Sequence, residues 1–88
     1  MNFIGSKQVE TSVANQEILP NPPSDWTIPY TLTQFSFQND QECTLIINGT
    51  DEVYLREGQG FNTGFQKARI QSVKILEDGV TYNWVGAY

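Results

Sequence analysis

Residues 68–85, ARIQSVKILEDGVTYNWV, decide the fold class. Two apolar runs flank Asp78-Gly79, a dipeptide that supplies the positive φ angles of a tight type I′ turn, so the stretch predicts a β-hairpin. A two-residue loop would set Ile75 opposite Tyr82, Val73 opposite Trp84 and Glu77 opposite Val80, with Lys74 and Asn83 sharing the other face. Because side chains alternate with period two, this register puts the large apolar groups on one face, which then has to be buried.

Working outward, CTLII and EVYL form a second pair of strands around Asn48-Gly49-Thr50-Asp51. A two-residue Asn48-Gly49 loop would face Leu45 toward Glu52. A loop of Gly49, Thr50 and Asp51 instead pairs Ile47 with Val53 and Leu45 with Leu55, leaving Thr44 opposite Arg56, and is preferred on apolar matching. Upstream lies TIPYTLTQFSF, where Tyr30 and Leu32 alternate out of phase with Phe35 and Phe37. A bulge near Thr33 or Gln34 would bring all four to one face; the alternative is a strand buried on both sides. Pro29 near the start suits an edge or first position. Gln38-Asn39-Asp40-Gln41 and Arg56-Glu57-Gly58-Gln59-Gly60 read as turns, and Phe61 and Phe65 close one end of the core or line a groove. About five or six short strands separated by turn signals predict an all-β domain over residues 28–88, a small antiparallel β-sandwich or barrel.

Residues 1–27 differ. Their apolar residues are scattered, the runs at Val9 to Val13 and Glu17 to Leu19 are short, and Pro20, Pro22 and Pro23 hold the chain extended and out of any sheet centre. Two readings stay open: a disordered tail, or an extended N-terminal arm that orders on a neighbouring subunit. In the second, Phe3, Ile4, Pro20, Pro22, Pro23 and Trp26 form the partner-binding segment.

Composition narrows the function classes. The 88 residues suffice for one small domain, whose modest core makes self-association or docking an expected source of added stability. A net charge of -5 argues against nucleic acid, since phosphate binding needs clustered cations and only Lys67, Arg69 and Lys74 approach a cluster. No apolar run reaches the ~20 residues of a membrane helix. The opening Met-Asn-Phe-Ile lacks a secretory pattern, so synthesis in a cytoplasm is expected. With one cysteine, Cys43, no internal disulfide forms, and its apolar setting predicts a buried thiol.

The residues for most enzymatic chemistry are missing, so the chain reads as no enzyme and as having no cofactor. There is no histidine to act as base, metal ligand or triad member. Gly58-Gln59-Gly60 lacks the Walker lysine pattern, and Asp51-Glu52 and Glu77-Asp78 are expected as solvated turn carboxylates. Asn48-Gly49-Thr50 matches a glycosylation acceptor but is explained by turn chemistry. Trp26, Tyr30, Tyr54, Tyr82 and Trp84 could supply a sugar-stacking platform, although Tyr82 and Trp84 fall on the predicted core face.

The order TLIINGT, then VYLREGQGF, then IQSVKILEDGVTYNWVGAY, covering roughly residues 43–88, resembles small virion proteins and appended β modules of tailed bacteriophages. The resemblance implies a noncatalytic structural role in the virion as a decoration, head-fibre base, collar or tail component. The partners it implies are other virion proteins and further copies of the chain, a homo-oligomer with a trimer as first guess. A carbohydrate-binding or host-receptor-binding module, stacking sugars on exposed aromatics, is the alternative.

Overall fold

The computed structural model describes residues 2–28, 30–64 and 68–88. Within them the chain is all-β: β1 (Phe3–Gly5), β2 (Glu10–Thr11), β3 (Gln34–Asn39), β4 (Cys43–Ile47), β5 (Asp51–Leu55), β6 (Phe61–Asn62), β7 (Val73–Ile75) and β8 (Thr81–Ala87). Two antiparallel sheets pack face to face as a small sandwich. One has the order β1-β8-β3-β6, with β2 sharing the β1 edge of β8; the other has the order β5-β4-β7.

The expected hairpin of β7 and β8 is not formed. Val73, Ile75, Tyr82 and Trp84 are all buried, as the alternation predicts, but β7 pairs with β4 while β8 pairs with β3. Asp78-Gly79 therefore lies in a connection that crosses from one sheet to the other. Gly79 has φ +80° and Asp78 does not have a positive φ, so the type I′ turn is absent. Both edges of β8 are taken instead: β3 matches it along six residues, Gln34↔Ala87 to Asn39↔Tyr82, and β1 and β2 pair with its other edge. The crossing segment satisfies its own backbone elsewhere. Leu76 N–H donates to the Thr44 carbonyl (2.9 Å) and Gly79 N–H to the Ser12 carbonyl (2.9 Å).

The β4–β5 hairpin forms in another register than expected. Ile47 stands opposite Asp51, Leu45 opposite Val53 and Cys43 opposite Leu55, so the loop is Asn48-Gly49-Thr50. Asn48 and Gly49 both take positive φ, +53° and +74°, and Thr50 N–H donates to the Ile47 carbonyl. This is the type I′ geometry that Asn-Gly favours, with Thr50 as one extra residue. It keeps the turn preference and still places Leu45 beside Val53, which the two-residue loop could not.

The phase change before β3 occurs where two-sided burial would otherwise be needed. Thr33 N–H donates to the Ala87 carbonyl although Ala87 is the register partner of Gln34, so two successive residues stand against one. Leu32, Phe35 and Phe37 are thereby all buried, while Tyr30 is only half-buried. Phe35 lies 5.9 Å from Trp84 and Phe37 5.6 Å from Tyr82, ring centroid to ring centroid, so β3 and β8 share an aromatic layer. Phe61 packs half-buried against this layer, 6.2 Å from Phe35; Phe65 and Pro29 lie outside the described residues.

The extended N-terminal segment runs along the chain's own sheets as far as Leu19. β1 and β2 border β8, then Asn15 N–H donates to the Ile75 carbonyl and Ile18 N–H to the Val73 carbonyl, beside β7. Buried Leu19 ends this run, just ahead of the first proline. Gly5 is required where β1 meets β8: a Cβ there would press into the backbone of Trp84 and Val85.

Candidate functional site

The residues expected to bind a partner divide between core and surface. In β1 alternation turns Ile4 inward, half-buried against the core, and leaves Phe3 outward at 69 % exposure. Pro20 and Pro23 are exposed and Pro22 is half-buried. The Pro23 carbonyl accepts from Trp26 N–H (2.9 Å), a tight turn that returns Trp26 toward the fold. Trp26 lands on the end of the first sheet, where it and Tyr30 pack with Tyr88. Since Tyr88 exchanges two backbone hydrogen bonds with Asn2, Phe3 and Trp26 come to the same end of β8.

Two surface features meet at that end. On the outer face of the first sheet a shallow depression of about 180 Å³ runs between Phe3, Gln34, Ser36, Asn62 and Val85. Val85, 48 % exposed, was legible as the outward-facing partner of Trp84 and Gly86 in TYNWVGAY. Beyond Tyr88, an open groove of about 470 Å³ is lined by Asp25, Trp26, Thr27, Ile28 and Thr31. Ile28 is 65 % exposed and stood out in no sequence pattern, because isolated apolar residues outside strands carry no periodic signal.

The aromatic trio is packed on itself. Trp26–Tyr30, Trp26–Tyr88 and Tyr30–Tyr88 centroids lie 4.9, 5.8 and 4.8 Å apart with interplanar angles of 61°, 66° and 74°. Such edge-to-face contacts stabilise the trio itself. The Tyr30 phenol is shifted upward, first by desolvation and then by neighbouring Tyr88. Tyr54 stands apart in the other sheet, its hydroxyl donating to Glu42 Oε2 (2.8 Å), the bond that chiefly raises its own pKa. Tyr82 and Trp84 are core residues.

The buried polar groups are committed to structure. Asn39, fully buried, donates to the Gln41 and Arg56 carbonyls (2.7 and 2.9 Å) and accepts from Gly60 N–H (2.9 Å). Ser12 Oγ donates to the Glu77 carbonyl (2.8 Å) and accepts from Val80 N–H (2.9 Å), tying the N-terminal segment to the sheet crossing. Glu77 Oε1 accepts from Thr44 N–H (2.7 Å), and Glu17 accepts from Ser72 Oγ (2.5 Å) and Val73 N–H (2.7 Å). Asn48 of the acceptor-like triplet uses its amide to hold the loop before β7, through Arg69 and Gln71. Burial pushes the Cys43 thiol up to about 11, with the Glu77 charge a smaller contribution. Of Lys67, Arg69 and Lys74, Arg69 is exposed, Lys74 lies within β7 and Lys67 falls outside the described residues.

No family model, curated protein or solved structure matches the chain.

Proposed function

We propose that the chain is a noncatalytic structural protein that works by protein–protein contact. In this reading its β-sandwich associates with further copies, and the Phe3–Trp26 end docks on another protein. The proposed setting, a tailed-phage virion reached after synthesis in the host cytoplasm, rests on the pattern resemblance of residues 43–88. The observation that supports contact is the outer face of the first sheet. It exposes Phe3 and Val85 beside a depression of about 180 Å³, which falls short of the ~300–1,000 Å³ usual for small-molecule sites.

The second reading, carbohydrate or receptor binding, is supported by the Trp26 groove, where an exposed indole adjoins Asp25, Thr27 and Thr31 in a cleft of ligand size. Two measurements separate them. A closed oligomer in light scattering with no retention on a glycan array supports assembly. A monodisperse monomer that binds a glycan, and loses it in Trp26→Ala, overturns it.

A further inference from the structure

We infer that the free edge of β5 is a self-pairing surface, joining two copies antiparallel about a two-fold axis at Val53. The inference deepens the self-association half of the reading above and rests on it.

Hydrogen-bond direction in the second sheet identifies the exposed groups. Asn48 N–H donates to the Ser72 carbonyl and the Thr44 carbonyl accepts from Leu76 N–H, so even-numbered residues of β4 face β7. Odd-numbered residues of β4 must then face β5, and their register partners Asp51, Val53 and Leu55 face back. That leaves the N–H and C=O groups of Glu52 and Tyr54 aimed outward, and no backbone bond to either residue occurs on that side among the described residues. Five residues without proline or bulge make this the longest unpaired edge among the described residues; the edges of the first sheet are β6, of two residues, and β1 and β2, of three and two.

An edge of this kind pairs with an extended strand, and its own sequence fits it. With Val53 on the axis, Glu52 stands opposite Tyr54 of the second copy, and these two exchange both backbone hydrogen bonds, twice by symmetry. The facing row on the solvent side then reads Thr50, Glu52, Tyr54, Arg56 against the same row reversed, all four exposed. Arg56 of each copy falls diagonal to Glu52 of the other, a distance that long side chains bridge, so the symmetric arrangement carries two opposite-charge contacts. A shift by one residue would set outward-facing backbone groups against inward-facing ones, and a shift by two that moves the axis to Glu52 would set Glu52 against its own kind.

The test is sedimentation of the full chain over roughly 1 μM to 1 mM, since one strand's edge makes a small and weak interface. The wild type is expected to show a monomer–dimer equilibrium. Glu52→Pro removes an outward donor and no internal bond, and should weaken the dimer at least about a hundredfold. Glu52→Arg and Arg56→Glu each should weaken it about tenfold, while the double exchange restores it, which no effect on folding would produce. An oligomer unmoved by all of these variants, or a trimer, overturns the β5 edge and leaves self-association standing. A monomer throughout overturns both.

Discussion

Asn39 is the residue whose replacement tests most directly how the two sheets are tied at their loop end. It is fully buried, and three of its bonds reach backbone groups of Gln41, Arg56 and Gly60, in the two turns that follow β3 and β5. Asn39→Leu is close to isosteric, so the cavity contribution is small and the polar loss dominates. The Arg56 carbonyl keeps the Gln59 N–H (3.0 Å), but the Gln41 carbonyl and Gly60 N–H lose what Asn39 supplied. Two orphaned groups at about 1–2 kcal/mol each, the lower part of the usual range because the bonds are part-buried, give about 2–4 kcal/mol. Against the roughly 4–13 kcal/mol expected of a chain this long, that is a large fraction. The assay is urea unfolding followed by near-ultraviolet circular dichroism, which reports the packed Trp84 and its aromatic neighbours. The control is Asn48→Gly, which removes the same number of side-chain bonds from an exposed amide while tolerating φ +53°. Water replaces those bonds, so it should cost no more than about 1 kcal/mol. An Asn39→Leu loss under about 1 kcal/mol at an unchanged denaturant slope, or one no larger than the control, would refute the reasoning.

Two further predictions concern buried titratable groups. Cys43, buried and with its pKa pushed up to about 11, should be inert to a thiol reagent in the native protein at neutral pH, reacting only as fast as the chain opens; rapid native labelling in a stopped-flow assay would contradict its placement. Tyr82 is pushed up to about 12 from 10.0, by burial first and then by Glu10. The folded chain therefore holds a proton that the unfolded chain releases from pH 10 upward. The stability this contributes is full below pH 10 and is lost as pH rises toward 12. Tyr82→Phe should flatten that alkaline decline in a series of thermal melts, and an identical decline in the variant would count against it.

How much of this could be read beforehand depends on how local each question is. The burial of Leu45, Ile47, Val73, Ile75, Tyr82 and Trp84 follows from alternation within each strand, and so does the outward position of Val85. The same holds for the phase change near Thr33 and for a turn within residues 48–51, whose register the preference for a Gly49-Thr50-Asp51 loop misplaced. The end-on cluster of Trp26, Tyr30 and Tyr88 was not legible. Trp26 and Tyr30 reach Tyr88 through the pairing of β3 with β8, where Thr33 N–H donates to the Ala87 carbonyl, a contact between residues far apart in the chain.

The amino-acid sequence by itself determined that this is an all-β chain and which faces of β4, β7 and β8 are buried, because those properties come from period-two patterning and turn chemistry within a few residues; it did not locate β1 and β2, which are too short to carry a periodic signal. Only the tertiary structure decided which strands become neighbours. A hairpin and a crossing between two packed sheets bury the same side chains of β7 and β8, so alternation cannot tell them apart. The choice falls to competition among backbone hydrogen-bond partners far apart in the chain, where β3 took one edge of β8, β1 and β2 took the other, and β7 paired with β4.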